Sequence, residues 1–298
     1  MRSLNLLLFL LVLGLTTAHA RGLHAATDTA PATIDVFVAI GQSLMVGPAG
    51  TTSQAVTSAA WDNAVTCSYP LDSASVAKLD WTGREQREMQ GVTSPALVMT
   101  RHLLATSPAY QRIYLTVTAA GGHSIVAFMD PARALYPLPG GQLQLWPGWV
   151  DSTIARLHWL GRDGTIVRFR GVVYFQGSND RTDTAAPYYA ENLRRLKADA
   201  RARFAAAGWD NVPWYQVVSP TWGAPSPTEW VTMVQTAQRD VTDEDTSGLS
   251  FRAEADNPLG TTIVFTDGTH PDAASSERIG VVMAQMILSA DVFTTKTE

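Results

Sequence analysis

The chain has 298 residues, 46% hydrophobic and 16% charged, a balance that supports a buried core and excludes an extended disordered chain. Its net charge of -5 gives no basic footprint, so nucleic acid is not an expected partner. A single cysteine, Cys67, excludes an intramolecular disulfide and metal sites built from cysteine pairs, leaving the core to hold the fold unaided.

Met1 to Ala20 reads as a signal peptide: Arg2 supplies a thin positive start, Leu6 to Leu15 an apolar run, and Ala18-His19-Ala20 a cleavage site. The apolar run is shorter than the ~20 residues that span a bilayer, so stable membrane insertion after cleavage is not expected. The expected mature protein is secreted or periplasmic, with a flexible N-terminus over Arg21 to Pro31 and one catalytic domain over 32–298. The six histidines show no HExxH or comparable ligand spacing, so neither a metal nor another cofactor is indicated.

Ile34 to Ile40 is an apolar run that predicts a buried strand, broken by Gly41 and followed at once by Gln42-Ser43. Such a break places Ser43 at the carboxyl end of a strand, where open α/β sheets keep their ligand crevice. Pro48 to Gly91 has no sustained period and reads as a long excursion over that edge, one wall of a cleft. Pro95 opens a helix through Leu104, and Arg112 to Ala119 is a second strand running into Gly121-Gly122-His123-Ser124. Met129 to Pro147 reads as a surface loop rich in Pro, Gly and Trp. Trp149 to Leu160 carries apolar residues at spacings of three and four, predicting a helix.

Gly171 to Gln176 is a third strand that delivers Gly177-Ser178-Asn179-Asp180 to the same edge. A helix over Pro187 to Ala207 follows, with Tyr189, Leu193, Leu196, Ala200 and Phe204 on its apolar stripe. Val212 to Ser219 predicts a fourth strand, Glu229 to Val241 a helix, and Thr261 to Phe265 a fifth strand. Asp267-Gly268-Thr269-His270-Pro271 ends it, and Asp272 is placed to cap a last helix. This alternation predicts a mainly parallel sheet with helices on both faces.

Right-handed crossovers bring these strand ends to one side of the sheet. A serine hydroxyl needs a base to remove its proton, and His270, oriented by Asp267, is the candidate for Ser43. An oxyanion needs donors, for which the candidates are the Ser43 N–H, Gly122, and a side-chain amide from Gln176 or Asn179.

Four blocks together resemble the SGNH (GDSL-like) hydrolases, in particular the sialate O-acetylesterase-like branch that contains carbohydrate esterase family six. They are GQSLMVG at Gly41 to Gly47, GGHSI at Gly121 to Ile125, FQGSND at Phe175 to Asp180 and DGTHPD at Asp267 to Asp272. The resemblance spans about Ile34 to Leu288. It implies a three-layer α/β/α sandwich, flavodoxin-like, around about five mainly parallel strands. It also implies Ser43 as nucleophile, His270 as general base and acid, Asp267 as its orienting carboxylate, and an acetylated carbohydrate as substrate. Gly122 and an amide from Gln176 or Asn179 would complete the oxyanion hole with the Ser43 N–H. The chain departs from the branch at Leu44, where Asn is usual, and at Ser178, where Glu is usual.

Two other readings use the same residues. Leu44 and Met45 beside the serine favour a lipid or aryl ester. Trp146, Trp149, Trp222 and Trp230 offer a stacking surface for a carbohydrate-binding protein that has lost catalysis.

Overall fold

The computed structural model describes residues 32–46, 65–68, 94–221, 228–256, 258–267 and 270–294. The strands are β1 (Thr33–Gly41), β2 (Val65–Ser68), β3 (Ile113–Ala119), β4 (Ile166–Phe175), β5 (Trp214–Val218) and β6 (Ser250–Glu254). The helices are α1 (Ser43–Val46), α2 (Pro95–Thr106), α3 (Gly148–Gly161), α4 (Tyr189–Ala206), α5 (Thr228–Asp243) and α6 (Ala273–Thr294). All strand pairs are parallel, in the order β2-β3-β1-β4-β5-β6. Without the short edge strand β2, the remaining five follow the flavodoxin-like order 2-1-3-4-5.

Successive side chains of β1 serve opposite faces, as a strand requires. Phe37 and Ala39 join Leu115, Val173 and Val217 in a core under α2 and α6. Val38 and Ile40 join Val172, Tyr174 and Trp214 in a second core under α3, α4 and α5. Helices on both faces account for central strands that are apolar without alternation.

Two strands differ from the sequence reading. The fifth main strand is Ser250–Glu254, whereas among the described residues Thr261 to Phe265 makes one bridge, between Phe265 and Pro271. The excursion from Pro48 to Gly91 contributes β2, and its proposed cleft wall lies outside the described residues. Strand β4 also begins earlier than Gly171. Its first half carries Arg168 and Arg170, whose charges mask a strand pattern but bind the buried Asp35 with contacts of 2.8, 2.6 and 2.6 Å.

Helices α2 and α6 cross closely at Gly280, where a Cβ would lie 2.6 Å from Pro95 O and 2.6 Å from Val98 Cβ. Near the other end of α6, Asp291 accepts from Tyr110 and pairs with Arg170 at 3.8 Å, beside the starts of β3 and β1. The two helices therefore run in the same sense, from the carboxyl edge of the sheet to its amino edge.

Trp149 cannot contribute to a stacking surface. Trp149 is 1% exposed and its indole N–H donates to Phe128 O at 2.8 Å. Trp146 and Trp230 are half-buried against the same core, and Trp222 lies outside the described residues.

Candidate active site

Strand β1 ends where two backbones nearly touch. A Cβ on Gly41 would lie 2.1 Å from Phe175 O, so no larger residue fits the turn into Gln42-Ser43. Gln42 is buried, and its Oε1 accepts the N–H groups of Gly177 at 3.3 Å and Ser178 at 3.2 Å. One side chain thereby locks the loop after β1 to the loop after β4. Sequence reasoning passes over Gln42, although its place between an obligatory glycine and the serine is a signal. Ser43 itself is half-buried. Leu44 and Met45 behind it are 1% and 0% exposed and belong to the core, so they offer no apolar surface to a lipid chain.

The loops after β3 and β4 converge on Ser43. A Cβ built on Gly121 would sit 3.8 Å from Ser43 Cβ, and one on Gly122 would sit 3.7 Å from Asn179 Nδ2. Gly122 has φ +74°, a conformation that side chains disfavour. Ser43, the glycine pair and Asn179 thus come together at the carboxyl ends of the neighbouring strands β1, β3 and β4.

Gln176 is placed otherwise and is withdrawn as an oxyanion donor. It is wholly buried, and its amide nitrogen donates to His123 O at 3.1 Å and to Asp180. Its oxygen accepts from Tyr174 and Tyr189, each at 3.1 Å. Both amide hydrogens are spent, which leaves Asn179 as the amide beside Gly122. Asp180, also fully buried, accepts from Gln176, Tyr136 and the Ile125 N–H, the last at 3.1 Å. Burial pushes its carboxyl up to about 6, against the pull of those donors. Gln176 and Asp180 hold the segment after Gly122 from beneath.

Asp267 and His270 form a compact unit. Asp267 Oδ1 accepts the His270 main-chain N–H at 2.7 Å, and Oδ2 lies 2.7 Å from His270 Nδ1. A carboxylate only accepts, so Nδ1 carries the proton and Nε2 is left to act as a base. The turn is closed by Thr266 N–H donating to His270 O at 3.0 Å, and Asp272 caps α6 through the Ser275 N–H at 2.7 Å. Gly280 lies against Pro95, and Ser94 Oγ donates to Met45 O at 2.8 Å. The seven residues from Gly280 back to Ala273 rise roughly 10 Å further toward the carboxyl edge. The Asp267–His270 turn is thereby carried to the edge at which Ser43 lies.

A family model described as carbohydrate esterase, sialic acid-specific acetylesterase, matches residues 33–289. The chain belongs to this esterase family. It is accordingly a carboxylic ester hydrolase, a carbohydrate O-deacetylase. Solved structures share its fold at low identity. A protein of Arabidopsis thaliana has a TM-score of 0.60 at 17% identity, over 86% of this chain and 98% of that one. A carbohydrate acetylesterase from Xanthomonas citri has a TM-score of 0.58 at 20% identity, over 87% of this chain and 57% of that longer one. NanS has a TM-score of 0.57 at 12% identity, over 90% of this chain and 99% of that one. No curated protein matches the esterase. Among the described residues, no helix is long and apolar enough to cross a membrane, and no group of three or more His, Cys, Asp or Glu could hold a metal ion.

Proposed function

We propose that the esterase is an exported enzyme that removes O-acetyl groups from a carbohydrate (acetylated xylan, another polysaccharide or sialic acid) through an acyl-enzyme on Ser43. The observation that carries this reading is the approach of Gly121 to Ser43 together with that of Gly122 to Asn179. These approaches support a site in which the Ser43 and Gly122 N–H groups and the Asn179 amide serve one ester carbonyl. Export rests on the signal-like Met1 to Ala20.

In this mechanism His270 Nε2 takes the Ser43 proton as Oγ attacks the acetyl carbonyl. The N–H groups of Ser43 and Gly122 and the Asn179 amide receive the oxyanion. Asp267 holds the imidazole in the required tautomer and stabilises its charged form. Collapse of the intermediate expels the sugar hydroxyl, which leaves with the proton from His270. Water then repeats the sequence, with His270 as base, and releases acetate and free Ser43.

The test is acetate release from an acetylated oligosaccharide panel and from p-nitrophenyl acetate, by wild type and by Ser43→Ala. Wild-type turnover that Ser43→Ala abolishes is expected; equal rates would remove Ser43 from the reaction. His270→Ala should cost about as much as Ser43→Ala, because triad members act as a unit. Preference for octanoyl over acetyl esters would contradict sugar deacetylation. Mass spectrometry of the protein recovered outside the cytoplasm should find Arg21 at its N-terminus.

A further inference from the structure

Residues Ala120 to His123 form a turn closed by His123 N–H donating to Ala120 O at 3.3 Å. The φ of +74° at Gly122 is the mark of a type II turn at its third residue. A type I turn over the same residues keeps the closing bond but reverses the central peptide, Gly121–Gly122. Two exposed glycines have little intrinsic preference between these states. Because a trans peptide is planar, with its C=O and N–H pointing opposite ways, whatever holds Gly121 O aims the Gly122 N–H.

The group that holds Gly121 O is the imidazole of His123, whose Nδ1 lies 2.8 Å away. A carbonyl only accepts, so Nδ1 carries a proton. The other ring nitrogen, Nε2, accepts the N–H of Leu143 at 2.9 Å and is therefore bare. Two main-chain groups thus fix one neutral tautomer. The same neighbouring loop supplies Gln142, whose Nε2 donates to Gly122 O at 2.9 Å. Gln142 Oε1 accepts both the N–H and the hydroxyl of Ser124, each at 2.9 Å. The peptides on both sides of Gly122 are therefore held by side chains.

We propose that His123 is a positioning residue for deacetylation: its Nδ1–H holds Gly121 O, which keeps the Gly122 N–H turned toward the oxyanion. The Leu143 N–H presets the ring for this task. The assignment rests on Gly122 being an oxyanion donor to the ester attacked by Ser43, and its test is separable from that reading.

Three variants are compared on p-nitrophenyl acetate at constant pH. His123→Leu keeps bulk but has no donor, and kcat should fall roughly 10- to 100-fold with KM nearly unchanged, somewhat less than deletion of an oxyanion donor costs. His123→Asn places an amide N–H near the Nδ1 position and should recover kcat to within a few-fold. Ser43→Ala runs in parallel. If it is inactive while His123→Leu keeps full kcat, only the positioning role fails. If Ser43→Ala is as active as wild type, both readings fail. Equal loss in Asn and Leu variants, or a rise in KM alone, also overturns the proposal. Should His123→Leu not fold, ¹⁵N NMR of histidine-labelled wild type decides, with His123 identified by its absence in His123→Asn. A protonated Nδ1 and bare Nε2 are expected; a proton on Nε2 refutes the assignment.

Discussion

Asp267 engages His270 twice, through Oδ1 to its main-chain nitrogen and through Oδ2 to ring Nδ1, both at 2.7 Å. The main-chain N–H can only donate, so in Asp267→Asn the remaining oxygen stays on that partner. The new NH₂ then faces Nδ1 and forces the proton onto Nε2, the wrong tautomer for a base. We expect kcat to fall by roughly 10³- to 10⁴-fold with folding retained, the scale of a triad left in the wrong tautomer. Steady-state kinetics beside a thermal melt check this. An active Asp267→Asn would mean that Asp267 does not orient the base.

Asn179 and Gln176 are three residues apart yet have separable roles. Asn179 is half-buried with its amide nitrogen 3.7 Å from where a Gly122 Cβ would be, whereas Gln176 is 0% exposed with both amide hydrogens donated. Asn179→Ala should lower kcat about 10²- to 10³-fold, with little change in melting temperature. Gln176→Leu should lower the melting temperature, because it removes the donor to His123 O and to the buried Asp180 and the acceptor of the Tyr174 hydroxyl. The two residues exchanging these phenotypes would reverse the assignment.

The contrast between these amides shows what the sequence made legible. The central strands were readable because burial on both faces leaves continuous apolar runs such as Val36 to Ile40. Edge strand β6 was not, since Arg252 and Glu254 face outward into ion pairs with Asp243 and Arg239 and break any apolar pattern. Thr261 to Phe265 has stronger β-formers, yet among the described residues no strand pairs with it, and Phe265 makes an isolated bridge to Pro271. At the site, Ser43, Asp267 and His270 stood out because few residue types suit their chemistry. Gln42, Gln142, Gln176 and Asp180 did not, because an amide or carboxylate takes its role from its partners, and some of these lie as far as 136 positions away.

The buried Asp180 predicts a pH signature in stability. Burial raises its carboxyl from 3.8 to about 6, so between these values the folded chain holds a proton that the unfolded chain has released. The stabilisation is complete below the unfolded value and is lost as pH rises through about 6, a change of about 3 kcal/mol at most. Asp180→Asn should remove this slope. Its amide oxygen keeps the Gln176 donor while its NH₂ faces the Tyr136 hydroxyl, which can accept, so the slope is the informative quantity. Urea unfolding at intervals from pH 4 to 7 measures it, and an unchanged slope in the variant would assign the titration elsewhere.

A second charge group, around the buried Lys197 and the half-buried Asp245, should act on stability alone. Asp245 Oδ2 lies 2.7 Å from Lys197 Nζ and 2.7 Å from Arg201 Nη1, with the Lys197 and Asp245 side chains 7% and 12% exposed. Burial opposes ionisation of Asp245, but hydrogen bonds from Lys197, Ser247, Ser250 and Arg201 outweigh it and hold the carboxyl well below its usual range. Burial lowers the Lys197 ammonium against the pull of Asp245. Removing the carboxylate alone leaves that ammonium in the interior without its counter-charge, so Asp245→Asn should cost roughly 3–5 kcal/mol. Lys197→Met added to Asp245→Asn should recover part of the loss, because the uncompensated ammonium is then gone. The depressed carboxyl also makes this contribution present above its unfolded value of 3.8 and lost as pH falls below it. Chemical denaturation of the single and double variants supplies the test, with kcat on p-nitrophenyl acetate unchanged wherever the protein is folded. A double variant no more stable than Asp245→Asn would show that the ammonium was not the source of the cost.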